Sequence, residues 1–142
     1  TLLSMVMPTL VEKFLRDSMS NKPKIYIASL YSRREEMLEN ANKLIANGFT
    51  VTARWVAGGE DGLDNEAIAE LDIDDVIDAD MVLSFTLPYG TMFKGGGRHV
   101  EFGVGVGLGK ELALIGEREC VFHWLPEVKQ FNTIDEFISS YA

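Results

Sequence analysis

One cysteine, Cys120, stands among the 142 residues, which excludes an internal disulfide and any zinc site built on paired cysteines. With no disulfide framework to ask for an oxidising compartment, a cytoplasmic location is expected. Positive charge is also scarce. Against 22 Asp and Glu there are 13 Lys and Arg, giving a net charge of −9 and a pI of about 4.6. Such a chain is not expected to bind a nucleic-acid polymer through its phosphates. No apolar run approaches the ~20 residues that span a bilayer, so no membrane association is expected. Residues 1–7 are apolar but lack the basic start and small-residue cleavage site of a secretory signal. The two histidines, His99 and His123, have no metal-ligand spacing. No metal and no cofactor is expected.

What is present suits a single globular domain. Hydrophobic residues make up 46% and charged residues 25%, near the average for soluble proteins, and the length permits a core without staples. Residues 1–22 read as an N-terminal helical extension, with Leu10, Val11, Phe14 and Leu15 on one face. A polar, Pro-containing connection at 18–23 separates it from the main domain, 23–142. From residue 24 onward strand and helix signals alternate: strands at 24–30, 49–56, 81–86 and 111–116, helices at 32–47 and 65–78, and a last helix near 133–141. This order predicts an α/β fold, a flavodoxin- or Rossmann-like, mainly parallel sheet with helices on both faces. Its ligand site belongs at the carboxyl ends of the strands, where the loops after residues 30, 56 and 86 gather. Residues 102–109 (FGVGVGLG) stay undecided, because large–small alternation resembles a half-buried strand and four glycines cost a helix roughly 1 kcal/mol each.

Three stretches carry candidate chemistry. In Gly95-Gly96-Gly97-Arg98-His99-Val100-Glu101 a glycine-rich turn opens a helix whose free amides face a ligand, and Glu101 is expected in the first turn, where the helix dipole favours an ionised carboxylate. Ionised and shielded is the state a nucleophile needs; from spacing alone, a first-turn charge that merely stabilises its helix is the commoner reading. The acidic run Asp72 to Asp80 has Asp72 on the inward line Ile68–Asp72–Val76, while Asp74, Asp75 and Asp78 read as a solvated face. In Ser29-Leu30-Tyr31-Ser32-Arg33-Arg34-Glu35, hydroxyls and paired guanidiniums follow a buried strand and suit phosphate or sugar oxygens. The plainer alternative there is a capping box, Ser32 with Glu35. Trp55, Tyr89, Phe93 and Trp124 could stack on a base or serve the core.

Taken together, KIYIASLYSRRE (24–35), DIDDVIDAD (72–80) and GRHVEFGVGVGLGK (97–110) resemble, in that order, the nucleoside 2-deoxyribosyltransferase family, including its 2-deoxynucleoside 5-monophosphate N-hydrolase relatives. The similarity covers about residues 24–118. It implies that Glu101 is the catalytic nucleophile, that Asp72 is the active-site aspartate, and that 102–109 is helical. It further implies a substrate site drawn from Ser29, Tyr31, Arg33, Arg34, Trp55, Gly95, Gly97, Arg98 and His99. Family members often carry an acidic or hydroxyl residue six positions before the glutamate, where this chain has Gly95.

The activity so implied is cleavage of the N-glycosidic bond of a 2-deoxyribonucleoside through a covalent deoxyribosyl–Glu101 intermediate, with transfer to another base. Hydrolysis of a 5-monophosphate is the nearest alternative, and a non-catalytic nucleotide-binding or sensing module is the alternative from another class. The implied partners are the small nucleoside or nucleotide substrate and further copies of the chain, with 119–125 (ECVFHWL) as the segment offered to a neighbouring subunit.

Overall fold

The computed structural model describes residues 22–91 and 95–142. The helical extension expected before residue 22 lies outside the described residues, as does Phe93. Among these residues five strands form one parallel sheet in the order β2-β1-β3-β4-β5: β1 Lys24–Ala28, β2 Thr50–Val51, β3 Met81–Phe85, β4 Glu111–Ile115 and β5 Val128–Phe131. Its register runs Ile25 to Met81, Met81 to Glu111 and Leu112 to Val128. Among the described residues four helices flank it: α1 Arg34–Ala46, α2 Asn65–Asp78, α3 Gly97–Gly107 and α4 Ile134–Ser139. This is the flavodoxin-like order, with its switch point between β1 and β3. No described helix is long and apolar enough to cross a membrane.

The central strands are buried on both faces, as the unbroken apolar runs of β1 and β3 require. Met37, Ala41 and Leu44 turn the inner side of α1 to the sheet, and Ile45, next to Leu44 in the chain, is 55% exposed. At the far edge Phe137 of α4 stacks on Phe49, ring centroids 5.6 Å apart, closing the core there.

Four differences from the sequence reading concern the fold itself. The strand expected over 49–56 pairs only at Thr50 and Val51, because Asp75 captures the Arg54 amide at 2.9 Å and the Trp55 indole donates to Ile27 O at 2.9 Å. Those bonds draw the chain off the ladder into a 3-10 turn, Arg54–Ala57. No capping box forms at Ser32: Tyr31–Arg33 is itself a 3-10 turn, and α1 begins without a side-chain cap. Asp75 is buried and not part of a solvated face, since Arg54 neutralises it. An edge strand, β5, was not foreseen at all.

The glycine-rich stretch is helical. A Cβ on Gly105 would lie 2.7 Å from Val82 Cγ2, so this glycine lets α3 sit close on the sheet.

Candidate active site

The carboxyl ends of β1 and β3 open into a cavity of about 450 Å³, a size suited to a small ligand. Each wall has a local cause. After β1 the chain turns at once, bringing Ser29, Leu30, Tyr31 and Ser32 to the rim. Trp55 is pinned by its indole bond and faces Tyr31, with ring centroids 6.3 Å apart. Asp64 caps α2 by accepting the Ala67 amide at 2.9 Å, which fixes the register of the helix. In that register Ile68 and Asp72, one turn apart, both line the cavity while Val76 is fully buried. From α3 come Gly97, Arg98 and Glu101, with Gly95 just before.

One lining residue was missed from sequence: Glu60. It lies in AGGEDGLD (57–64), which reads as a plain loop by composition. Gly58 adopts the left-handed conformation (φ 84°) that ends the 3-10 turn. Gly59 then packs so tightly on Arg54 that a Cβ there would meet the Arg54 carbonyl at 2.9 Å. The chain folds back through these two positions and brings Glu60 to the cavity. A glycine pair placed directly before an acidic residue at a strand's carboxyl end was the available signal.

The site is a low-dielectric pocket with three carboxyls in it. Burial pushes Glu101 up to about 8; the neighbouring Tyr26 hydroxyl opposes the shift and the Asp72 charge adds to it. Burial also pushes Glu60 up to about 8, helped by its contact with Asp72 and by the charges of Glu101 and Asp75. Asp72 is raised by burial and by Asp75, against the contact with Glu60 and the charge of Arg54. Tyr26 is held far above its ordinary range by burial and by Glu101 and Asp72. The expected help from the helix dipole is absent at Glu101. Since α3 starts at Gly97, Glu101 is past the first turn, and burial decides its protonation.

Several polar atoms here are buried without a hydrogen-bond partner among the described residues: Ser29 Oγ, Glu60 Oε1, Asp72 Oδ1, Arg98 Nε and Glu101 Oε2. Buried polar atoms are normally paired, so this concentration marks a place shaped for a polar ligand.

The remaining sequence candidates lie elsewhere. Arg33 pairs with Glu36 through Nε at 2.7 Å and Nη2 at 2.9 Å, and its Nη1 donates to the Phe85 and Thr86 carbonyls. Arg34 pairs with Asp61 and with the Tyr31 hydroxyl, both at 3.1 Å. Neither guanidinium lines the cavity, and both already have acidic or hydroxyl partners. His99 is turned to Glu119 at 3.1 Å. Glu119 also holds the Arg98 guanidinium and accepts the Leu87 amide at 2.9 Å. Burial pushes Glu119 up, but Arg98, the Leu87 amide and His99 outweigh it and keep the carboxyl low. Arg98 in turn donates to Gly95 O at 2.9 Å, so Glu119 steadies the glycine-rich turn from behind.

His99, Cys120 and His123 also come together, their ligand atoms within 4.8 Å of one another. His123 Nδ1 accepts the Glu119 amide at 2.9 Å, however, so its Nε2 carries the hydrogen. A metal on that ring would have to displace the amide bond.

No family model and no curated protein matches the sequence. Among solved structures the chain is similar to a CMP N-glycosidase, BcmB, from Clostridium botulinum: 18% identity, TM-score 0.55, covering 82% of this chain and 96% of that one. At that identity the likeness concerns the fold.

Proposed function

We propose that this chain cleaves the N-glycosidic bond of a 2-deoxyribonucleoside or its 5-monophosphate by double displacement, with a second base as acceptor. One observation carries the reading: Glu101 and Asp72, singled out from sequence in separate motifs, face one cavity at the switch point of the sheet. Glu101 attacks the anomeric carbon, the C–N bond breaks, and its electron pair leaves with the base. An oxocarbenium-like transition state then collapses to a deoxyribosyl ester on Glu101. Asp72 manages the proton of the departing base. The base lies against Tyr31 and Trp55, and Ser29 Oγ meets a sugar or phosphate oxygen. Of the basic candidates, Arg98 alone lines the cavity, and although Glu119 balances its charge its Nε has no partner, so it offers a donor to a phosphate oxygen in preference to Arg33 or Arg34. No step asks for a metal or cofactor.

Hydrolysis, with water in place of the acceptor base, is the second reading. It is favoured by the CMP N-glycosidase activity named for the structural neighbour. The test is incubation with a panel of 2-deoxynucleosides and 5-monophosphates, with and without a free acceptor base. New nucleoside supports transfer, and free base alone supports hydrolysis. Mass spectrometry with a slow substrate should find the deoxyribosyl group on Glu101. Binding without release of any base would mean a nucleotide-sensing module instead.

A further inference from the structure

We propose that Glu60 and Asp72 act as one carboxyl–carboxylate pair sharing a single proton, delivered to the base as it leaves and recovered from the acceptor. This rests on the reading of the cavity as an N-glycosidic centre and adds to it a residue that neither the motifs nor the family resemblance supplied.

The geometry comes first. Glu60 and Asp72 come from different elements, a glycine turn and the middle of α2, and both line the cavity that holds Glu101. Each acts on the other's protonation through a carboxyl–carboxyl hydrogen bond, and Glu60 Oε1 and Asp72 Oδ1 are both buried with no other donor among the described residues. Two ionised carboxylates do not persist in such contact, because nothing donates between them and their charges repel. The contact therefore contains a proton.

The surroundings decide which oxygen carries it. The charges of Asp72, Glu101 and Asp75, all acidic, bear on Glu60. Asp72 faces Glu60 and Asp75 too, but also the Arg54 guanidinium, which favours its ionised form. Glu60 is thus the acid and Asp72 the carboxylate that accepts its hydrogen bond. A ligand is independently called for at this spot by Ser29, which is 9% exposed and has an unpartnered Oγ in the same cavity.

The step balances. As the C–N bond breaks, the base takes the bonding electrons and the pair's proton, and Glu101 forms its bond to the anomeric carbon. The pair is left as two carboxylates, a state of high energy that drives recovery of a proton. In the second half, an acceptor N–H or water attacks the anomeric carbon. The ester bond to Glu101 breaks, and the acceptor's proton returns to the pair.

The test compares Glu60→Gln with wild type on two substrates. One is the best natural substrate of the panel. The other is a counterpart whose leaving group departs without a proton, a 7-methylated purine deoxynucleoside or a 4-nitrophenyl 2-deoxyriboside. Gln keeps the shape and a hydrogen bond to Asp72 but has no proton to give. The natural substrate should slow by roughly 10²–10⁴-fold, the span of general acid catalysis, and the activated one by less than about threefold on the same basis. The alkaline limb of kcat/KM against pH should vanish with it. Equal slowing of both substrates, or a surviving alkaline limb, overturns the pair while leaving the site reading intact. A wild type inert toward natural and activated substrates alike overturns both. Should the Gln variant not fold, Glu60→Asp, which keeps an acid, should preserve the wild-type ratio between the substrates; a ratio shifted toward the activated substrate refutes the proposal.

Discussion

Glu101 sits where a carboxylate is poorly hydrated, and its protonation at about 8 records that. The consequence for stability has a definite sign. A folded-state pKa above the ordinary 4.5 means that the native protein binds this proton more tightly than the unfolded chain does. The stability so contributed is present below about 4.5 and is lost as pH rises through about 8. Glu60 behaves in the same way. Glu101→Gln removes the buried charge, so it should abolish turnover yet stabilise the fold at pH 8, on the order of a few kcal/mol. The gain should shrink toward pH 5. Thermal melts at the two pH values check this, and a variant less stable than wild type at pH 8 would contradict burial as the cause. The proposed mechanism requires both the ionised nucleophile and the protonated Glu60. The free enzyme should therefore show a bell-shaped kcat/KM profile, its two limbs overlapping near 8. A profile flat between pH 6 and 9 would leave these groups without a catalytic part.

Among the elements, those with one dominant signal were legible in the sequence and those fixed by a remote bond were not. The span of α2 was readable residue for residue, because the Asp64 cap and the apolar line Ile68–Asp72–Val76 are local. The truncation of β2 was not, since it depends on Asp75, 21 residues further along the chain, taking the Arg54 amide. β5 was hidden because two exposed polar residues, Lys129 and Gln130, fill its middle, which an edge strand tolerates. Site legibility followed the same division: Asp72 stands on a patterned helix and Glu101 in a motif carried by the family resemblance, whereas Glu60 reaches the cavity only through the fold of a glycine turn on Arg54. Asp75→Asn should accordingly destabilise by about 1–3 kcal/mol, the range for a buried group losing a charged partner. Asp74→Asn, at an exposed position, should stay within about 0.5 kcal/mol. The glycines of α3 divide similarly. Gly105→Ala must push against Val82 and should cost about 1–3 kcal/mol. Gly103→Ala, with nothing within 4 Å of its Cβ, should gain up to about 1 kcal/mol of helix propensity. Urea denaturation of the four variants separates these expectations, and equal effects at positions 103 and 105 would remove the close-approach account of α3.

At the scale of the whole molecule, the exposed aromatic side chains among the described residues are gathered at one end. Tyr31 follows β1, Tyr89 follows β3, and the 3-10 turn Val121–Trp124 follows β4. All of these lie beyond the carboxyl ends of the strands, where the cavity opens. Val121, Phe122 and Trp124 are 68%, 65% and 55% exposed. Trp124 stands edge-on to Tyr89 at 5.5 Å, with the Arg118 guanidinium 5.6 Å from its ring. Exposed aromatics with an arginine beside them have the composition of an interface centre. Within 119–125, Glu119 and His123 are buried in their own subunit, so only Val121, Phe122 and Trp124 remain to be offered outward from the turn. We expect a second copy of the chain to cover this patch and, with it, the open side of the cavity. The protein should sediment as a homo-oligomer at assay concentration. Phe122→Glu, which sets a charge into the patch without touching the core, should yield folded monomers. If the neighbouring copy closes the site, that variant should show KM raised more than kcat is lowered, because the catalytic carboxyls stay in place while the wall that holds the substrate is lost. A wild type that is monomeric and fully active, or a monomeric Phe122 variant with unchanged kinetics, would mean that each subunit completes its own site.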